Sequence, residues 1–134
     1  MGFSLIAASA IIGVAVLISL ELIVGTTIPT ITDINDSYKD MRDRAIDQTQ
    51  TDITITGASW NNPNTQITVE NTGGVSINTS KCNVLLNGET KTFTCSVSYI
   101  HPAATAIFYV PEQAVNKDML AVITPNGVSD YYEY

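Results

Sequence analysis

The residues with the most specific chemical spacing in this chain of 134 residues are its two cysteines. Cys82 and Cys95 flank Asn87-Gly88, a dipeptide typical of a β-hairpin turn. If the loop comprises residues 87–90, the two cysteines face each other across the ladder, within disulfide reach. A two-residue turn would instead place Cys82 opposite Phe93. We predict a Cys82–Cys95 disulfide in an exported domain, with two buried free thiols as the alternative.

The other reactive side chains form no pattern that predicts catalysis or metal binding. The single histidine, His101, stands among apolar and small residues, and the sequence has no nucleophile elbow or phosphate-binding loop. Aspartates recur at spacings of three and four over residues 33–47, but Lys39, Arg42 and Arg44 between them indicate a solvated, mixed-charge helix face. We therefore expect a protein that is not an enzyme and has no cofactor or metal. The net charge of −7 argues against nucleic acid as a partner.

Two short motifs are possible glycosylation sites. Asn35-Asp36-Ser37 and Asn78-Thr79-Ser80 both fit the acceptor pattern for N-linked glycans, which matters only on an exported surface. Because Asn78 ends a strand-like segment before a turn, we expect it to be the better acceptor of the two.

An apolar segment near the N-terminus must position everything that follows. Residues 3–24 would rise about 33 Å as a helix, enough to cross a bilayer core of about 30 Å. The segment is too long for a secretory signal and too uniformly apolar for a core helix, so residues 1–25 predict a retained membrane or filament-core helix. We expect its N-terminus inside the cell. Ser9 and Gly13 are spaced so that a second helix could pack closely against them.

Residues 26–51 predict a junction and a short amphipathic stalk helix. Pro29 lacks a backbone N–H, and we expect it to interrupt the helix. After it, apolar residues follow at heptad-type spacing: Ile31, Ile34, Tyr38, Met41 and Ala45. This stripe would either pack on the chain's own β-domain or pair with the stalk of another molecule.

From Asp52 onward the apolar period changes to two, which predicts an all-β domain over residues 52–134. Seven or eight short β-rich segments alternate with turn residues at intervals of about ten, the pattern of an immunoglobulin-like sandwich. The C-terminal segment gathers three tyrosines, Tyr131, Tyr132 and Tyr134, as a possible partner interface. A final strand packed on its own sheet is the alternative.

Several short motifs resemble those of a known family. The opening Met-Gly-Phe-Ser and the small-residue-rich helix after it are similar to type IV pilin-like N-termini of archaeal surface machinery. The acidic stalk and a β-domain containing residues 69–73 (VENTG) and 85–88 (LLNG) resemble the archaeal flagellar protein F family, FlaF, of the archaellum.

The resemblance implies a membrane-anchored β-sandwich in the archaeal pseudo-periplasm that binds the S-layer and acts in the stator. Its implied partners are the S-layer protein, archaellum protein G and the membrane, and a homo-oligomer is possible. The alternative is a pilin-like or archaellin filament subunit with the helix in the filament core. With Phe3 counted as the first residue after processing, the fifth is Ala7, where bacterial pilins carry Glu. This difference favours the anchored accessory protein.

Overall fold

A computed structural model describes residues 2–134 of the chain. Its N-terminal part is helical: α1 spans Gly2–Leu22, a π-helical turn spans Ile23–Thr27, and α2 spans Ile28–Gln50. Every described residue of α1 is exposed, including its large apolar side chains. Among residues 2–134, this helical stretch is the one long and apolar enough to cross a membrane.

The predicted interruption at Pro29 is wrong, because the helix passes through the proline by way of the π-helical turn. Pro29 cannot donate to the carbonyl four residues earlier, and a wider turn makes room for its ring. Threonine hydroxyls bond neighbouring carbonyls in this region: Thr26 donates to Leu22 O at 2.5 Å and Thr30 donates to Thr26 O at 2.7 Å. The junction is therefore a local widening of the helix, and a stalk helix separated by a break is not found.

The chain divides into two compact units between Asp43 and Arg44, so the last turns of α2 belong with the β-domain. Ten strands follow the helix, several of them only two or three residues long. They are β1 (Ile53–Asn61), β2 (Asn64–Asn71), β3 (Ile77–Asn78), β4 (Asn83–Leu86), β5 (Glu89–Lys91), β6 (Thr94–Cys95), β7 (Tyr99–Ile100), β8 (Thr105–Val110), β9 (Met119–Ile123) and β10 (Ser129–Glu133).

The strands form two four-stranded antiparallel sheets and a small two-stranded one. The sheet orders are β1-β2-β8-β6, β10-β9-β4-β5 and β3-β7. Strands β2 and β8 alternate strictly between buried and half-buried or exposed positions, as the period of two predicts. Side chains such as Phe108, Ile67, Val84 and Leu120 are almost fully buried in one core cluster. The predicted β-sandwich is thus found, and its immunoglobulin-like character stays a prediction.

The hairpin register that led to the predicted disulfide is wrong. Leu86 pairs with Glu89 and Val84 pairs with Lys91, so the turn consists of Asn87-Gly88 alone. The left-handed backbone of both turn residues, with φ of 53° and 83°, suits this tight turn. The chain then leaves the β4 sheet, and Cys95 pairs with Phe108 in the other sheet. In the structure Cys82 is a buried free thiol and Cys95 is a half-buried one, so only Cys82 matches the alternative of two buried free thiols.

Candidate interaction surfaces and the helix–domain joint

The end of α2 is held by a loop that closes β2, and we call this contact the joint, comprising residues 50–52 and 71–74. Gly74 N donates to the carbonyl of Gln50 at 2.7 Å. Thr72 N and Gly73 N both donate to the carbonyl of Asp52 at 3.1 Å. The hydroxyl of Thr72 donates to the Asp52 carboxylate at 2.9 Å. Carbonyls at a helix end need partners, and here the β-domain supplies one of them.

Gly73 is required at the joint because no side chain fits there. A Cβ atom at this position would lie closer than 3.0 Å to the backbone of both Asp52 and Gln50, and 3.1 Å from the carbonyl carbon of Thr51. These are backbone atoms, which cannot swing aside as a flexible side chain would. At Gly74 the nearest atom to such a Cβ is Gln50 O at 4.0 Å, an ordinary contact.

Asn71 is a fully buried polar residue that organises the loop of the joint. Its amide group donates to the carbonyls of Val75 and Ile100, both at 2.8 Å, and its side-chain oxygen accepts from Gly73 N at 3.1 Å. Its backbone N–H and carbonyl also bond Ala104 O and Ala103 N. A buried amide with all these partners fixes the loop in one conformation.

A second set of bonds secures the helix end from the opposite terminus of the chain. Thr51 is buried, and its hydroxyl donates to Asp47 O at 2.6 Å. The side chain of Asn126, in the turn between β9 and β10, donates to the same hydroxyl at 2.8 Å. Two loops distant in sequence therefore hold the last turn of α2.

One lateral edge of the sandwich is closed by the C-terminal strand. The carboxylate of Asp130 accepts from Ile55 N at 2.7 Å, and the hydroxyl of Tyr134 accepts from Trp60 N at 3.1 Å. Backbone donors of the terminal strand β1 are thus bonded by side chains of the tail. Tyr132 and Tyr134 pack against the core, which matches the alternative of a closing strand. Tyr131 is 63% exposed, and its role in an interface stays a prediction.

The other lateral edge is open. Strands β5 and β6 are the terminal strands of their sheets, and most side chains in the segment from Thr92 to Tyr99 are exposed. A groove of about 730 Å³ runs along this segment and residues 78–80; we call it the edge groove. Val97 and Tyr99 expose 41% and 53% of their surface beside it. Terminal strands with apolar neighbours are the usual place where another chain adds a strand.

The two cysteines differ in environment: Cys95 is half-buried and lines the edge groove, whereas Cys82 is buried. Burial and, to a lesser extent, the nearby Cys95 together raise the pKa of the Cys82 thiol to about 11. The Cys82 thiol donates a weak hydrogen bond to Asn78 O at 3.4 Å. A thiol with such a pKa stays protonated at neutral pH, so Cys82 is a structural residue rather than a nucleophile.

Few charged groups near the sheets are paired. Lys91 bonds Glu112 at 2.9 Å and Glu89 at 3.0 Å, and these hydrogen bonds, to Glu112 first, raise the pKa of its ammonium. A hydrogen bond from Asn87 and one from Val115 N lower the pKa of Asp118. Within residues 2–134, no group of three potential metal ligands occurs.

The two glycan acceptors lie in different backbone settings. Asn35 is in the middle of α2, whereas Asn78 ends β3 and caps a short 3₁₀ turn by accepting from Ser80 N at 3.1 Å. Modification of either residue stays a prediction. In α1, the hydroxyl of Ser9 donates to Ile6 O at 2.9 Å, and a Cβ at Gly13 would meet nothing within 4 Å in the described chain. Packing of a second helix on these two residues also stays a prediction.

Sequence reasoning missed the joint. The residues of the segment 71–74 (NTGG) are typical of a turn, and paired glycines after an asparagine are also typical of close backbone approach. The partner of such an approach cannot be read from local sequence, because Gln50 and Asp52 are about twenty positions away.

Comparison with known proteins yields structural similarity only. No protein-family model matches the chain, and no curated protein matches it. Among solved structures, an archaellum periplasmic stator protein FlaG from Sulfolobus acidocaldarius is similar, with 20% identity, a TM-score of 0.45, and coverage of 61% of this chain and 99% of that chain. A periplasmic stator complex of FlaF and FlaG from the same organism gives 17% identity, a TM-score of 0.47, and coverage of 60% and 87%. Neither of these similar proteins is named as an enzyme.

Proposed function

We propose that this chain is a membrane-anchored, extracytoplasmic structural protein of the archaellum motor, a stator component whose β-domain binds the S-layer. The apolar helix holds the protein in the membrane with its N-terminus inside the cell. The β-domain then stands in the pseudo-periplasm, where it meets the wall protein and other archaellum components such as protein G. The archaellum assignment rests on the sequence resemblance.

The joint is the observation that carries the structural part of the proposal. A tether between membrane and wall must pass force from its anchor to its binding domain without loosening between them. Backbone hydrogen bonds to Gln50 and Asp52, a buried Asn71 and a glycine that admits no side chain make the last helical turn part of the β-domain. A ligand-binding or catalytic domain on a flexible linker would not need such a connection.

The edge groove is the surface that we assign to the wall partner. The opposite edge is occupied by the domain's own tail through Asp130 and Tyr134. Val97 and Tyr99 offer apolar contact beside terminal strands, and a partner strand would gain main-chain hydrogen bonds there.

The test is a pull-down from cross-linked cell envelopes with the tagged full-length chain. We expect the S-layer protein in the eluate, its loss in a Val97→Ser, Tyr99→Ser double variant, and its retention in the control variant Val115→Ser, whose exposed side chain lies outside the groove. Detergent extraction from membranes, without recovery in sheared filaments, is expected in the same cells. Recovery in sheared filaments would support the alternative, a filament subunit with its helix in the core. S-layer binding unchanged by the double variant would contradict the assignment of the groove.

A further inference from the structure

The apolar stripe of α2 lies exposed on a helix whose acidic residues all avoid it. Ile31, Ile34, Tyr38 and Met41 expose between 60% and 72% of their surface. Their spacings of three and four place them on one side of the helix, in alternating a and d positions of a heptad. Four large apolar side chains in a row are more than a solvated stalk requires.

The acidic residues of the same segment lie on the other side. At about 100° per residue, the aspartates stand roughly 120° or more from the centre of the stripe. They occupy only c and f positions of the heptad: Asp33, Asp36, Asp40 and Asp43. The single ion pair of this face, Lys39 with Asp36 at 4.0 Å, also points away from the stripe.

The positions that flank the stripe suit a second copy of the same helix in parallel orientation. In a parallel pair, each g residue opposes the e residue of the next heptad on its partner. Here Thr30 would oppose Asn35, and Ser37 would oppose Arg42, so no two like charges meet. The flanking positions carry Arg42 and Arg44 and no acidic residue, so a helix with basic residues along its seam would be repelled. Two copies of this chain avoid that repulsion, because each arginine opposes an uncharged residue.

We propose that two copies of this chain pair through the stripe as a parallel two-stranded coiled coil. The proposal rests on the membrane anchor in the proposed function, because anchored chains share one orientation and a high local concentration. Helices with only two heptads do not associate in dilute solution. Confinement to a membrane raises their effective concentration enough for such a weak coiled coil to form. Pairing then buries the stripe that one chain leaves exposed.

The test is disulfide crosslinking of the full-length chain in liposomes, in a Cys82→Ala, Cys95→Ala background. Single cysteines are introduced at the stripe, as Ile34→Cys and Met41→Cys. Matched controls carry them on the aspartate face, as Asp36→Cys and Asp43→Cys. Identical positions on two chains meet across the seam only in a parallel, in-register pair. We expect at least about tenfold more crosslinked dimer from the stripe variants than from the controls.

Two outcomes overturn the proposal: equal crosslinking on both faces, which indicates random collision, and no crosslinking on either face, which indicates a monomer. A charge variant provides a second measurement, since Ile34→Glu should abolish crosslinking at Met41→Cys while Asp36→Glu should leave it unchanged. Flotation of the liposomes reports anchoring separately. Chains that float without crosslinking refute the coiled coil alone, and chains that do not float refute the anchor on which both proposals rest.

Discussion

The joint makes Gly73→Ala the sharpest test of the structural argument. The added methyl group would meet the backbone of Gln50 and Asp52 closer than real Cβ atoms come, so the loop and the helix end must separate. That separation strains the three backbone hydrogen bonds from residues 72, 73 and 74. With about 1 kcal/mol for each bond, we expect a loss of roughly 2–4 kcal/mol in the free energy of unfolding.

The measurement is thermal unfolding of the full chain in detergent micelles, followed by the circular dichroism of its strands. For a domain of this size, such a loss lowers Tm by roughly 10–25 °C. Hydrogen exchange gives a local reading, since the amide of Gly74 should lose its protection when its bond to Gln50 opens.

Gly74→Ala is the matched control, because its Cβ would make an ordinary contact at 4.0 Å with Gln50 O. We expect a change within about 1 kcal/mol for this variant. If Gly73→Ala melts within about 2 °C of the parent protein, the close approach at the joint is wrong. Equal destabilisation by both variants would show that loop entropy, rather than the steric contact, controls the result.

The remaining predictions concern the core, the thiols and the closed edge. Asn71→Ala should cost roughly 3–5 kcal/mol in chemical unfolding, since the buried Ile100 and the half-buried Gly73 and Val75 lose their bonds to this side chain; an unchanged denaturation midpoint would contradict this. Both Cys82 and Cys95 should label without reductant after denaturation. In the folded protein, alkylation of Cys82 should rise with pH up to its pKa of about 11; a plateau near pH 9 would contradict its burial. Because the folded state then holds the proton more tightly, stability should fall as pH rises from the ordinary thiol pKa of 9.0 toward 11. Tyr134→Phe should cost about 1 kcal/mol in thermal unfolding, with Tyr131→Phe silent.

The sequence predicted those parts of the fold that depend on local periodicity. The length of the N-terminal apolar segment predicted the helix. The alternation of apolar and polar residues, seen in β2 and β8, predicted the β-sandwich. Prediction failed where two local rules competed. At Pro29 the missing backbone N–H argued for a break in the helix. The helix continues instead, because a widened turn accommodates the proline and threonine hydroxyls bond nearby carbonyls. At Asn87-Gly88 the tight turn outweighed the pairing of the cysteines, because left-handed turn residues determine the register directly.

The surfaces were less predictable than the fold, because each depends on segments far apart in sequence. The tyrosines of the tail are typical of interfaces, yet Tyr134 bonds Trp60, which lies more than seventy positions away. The edge groove exists because the chain leaves one sheet after β5 and enters the other at β6. No local pattern reports that change of sheet.

The joint and the edge groove share no residue, so each can be changed without altering the other. Variants of the two sites can therefore test whether the protein acts as a tether that transfers force. A protein that only binds the wall would lose function through Tyr99 variants and tolerate Gly73→Ala as long as the domain remains folded. A tether must lose function through either change, because a loosened helix end no longer passes force from the domain to the membrane. At a temperature where the Gly73→Ala domain is still folded, we expect normal S-layer capture but impaired motility. If Gly73→Ala leaves both S-layer capture and motility normal, the joint contributes to stability and not to force transfer.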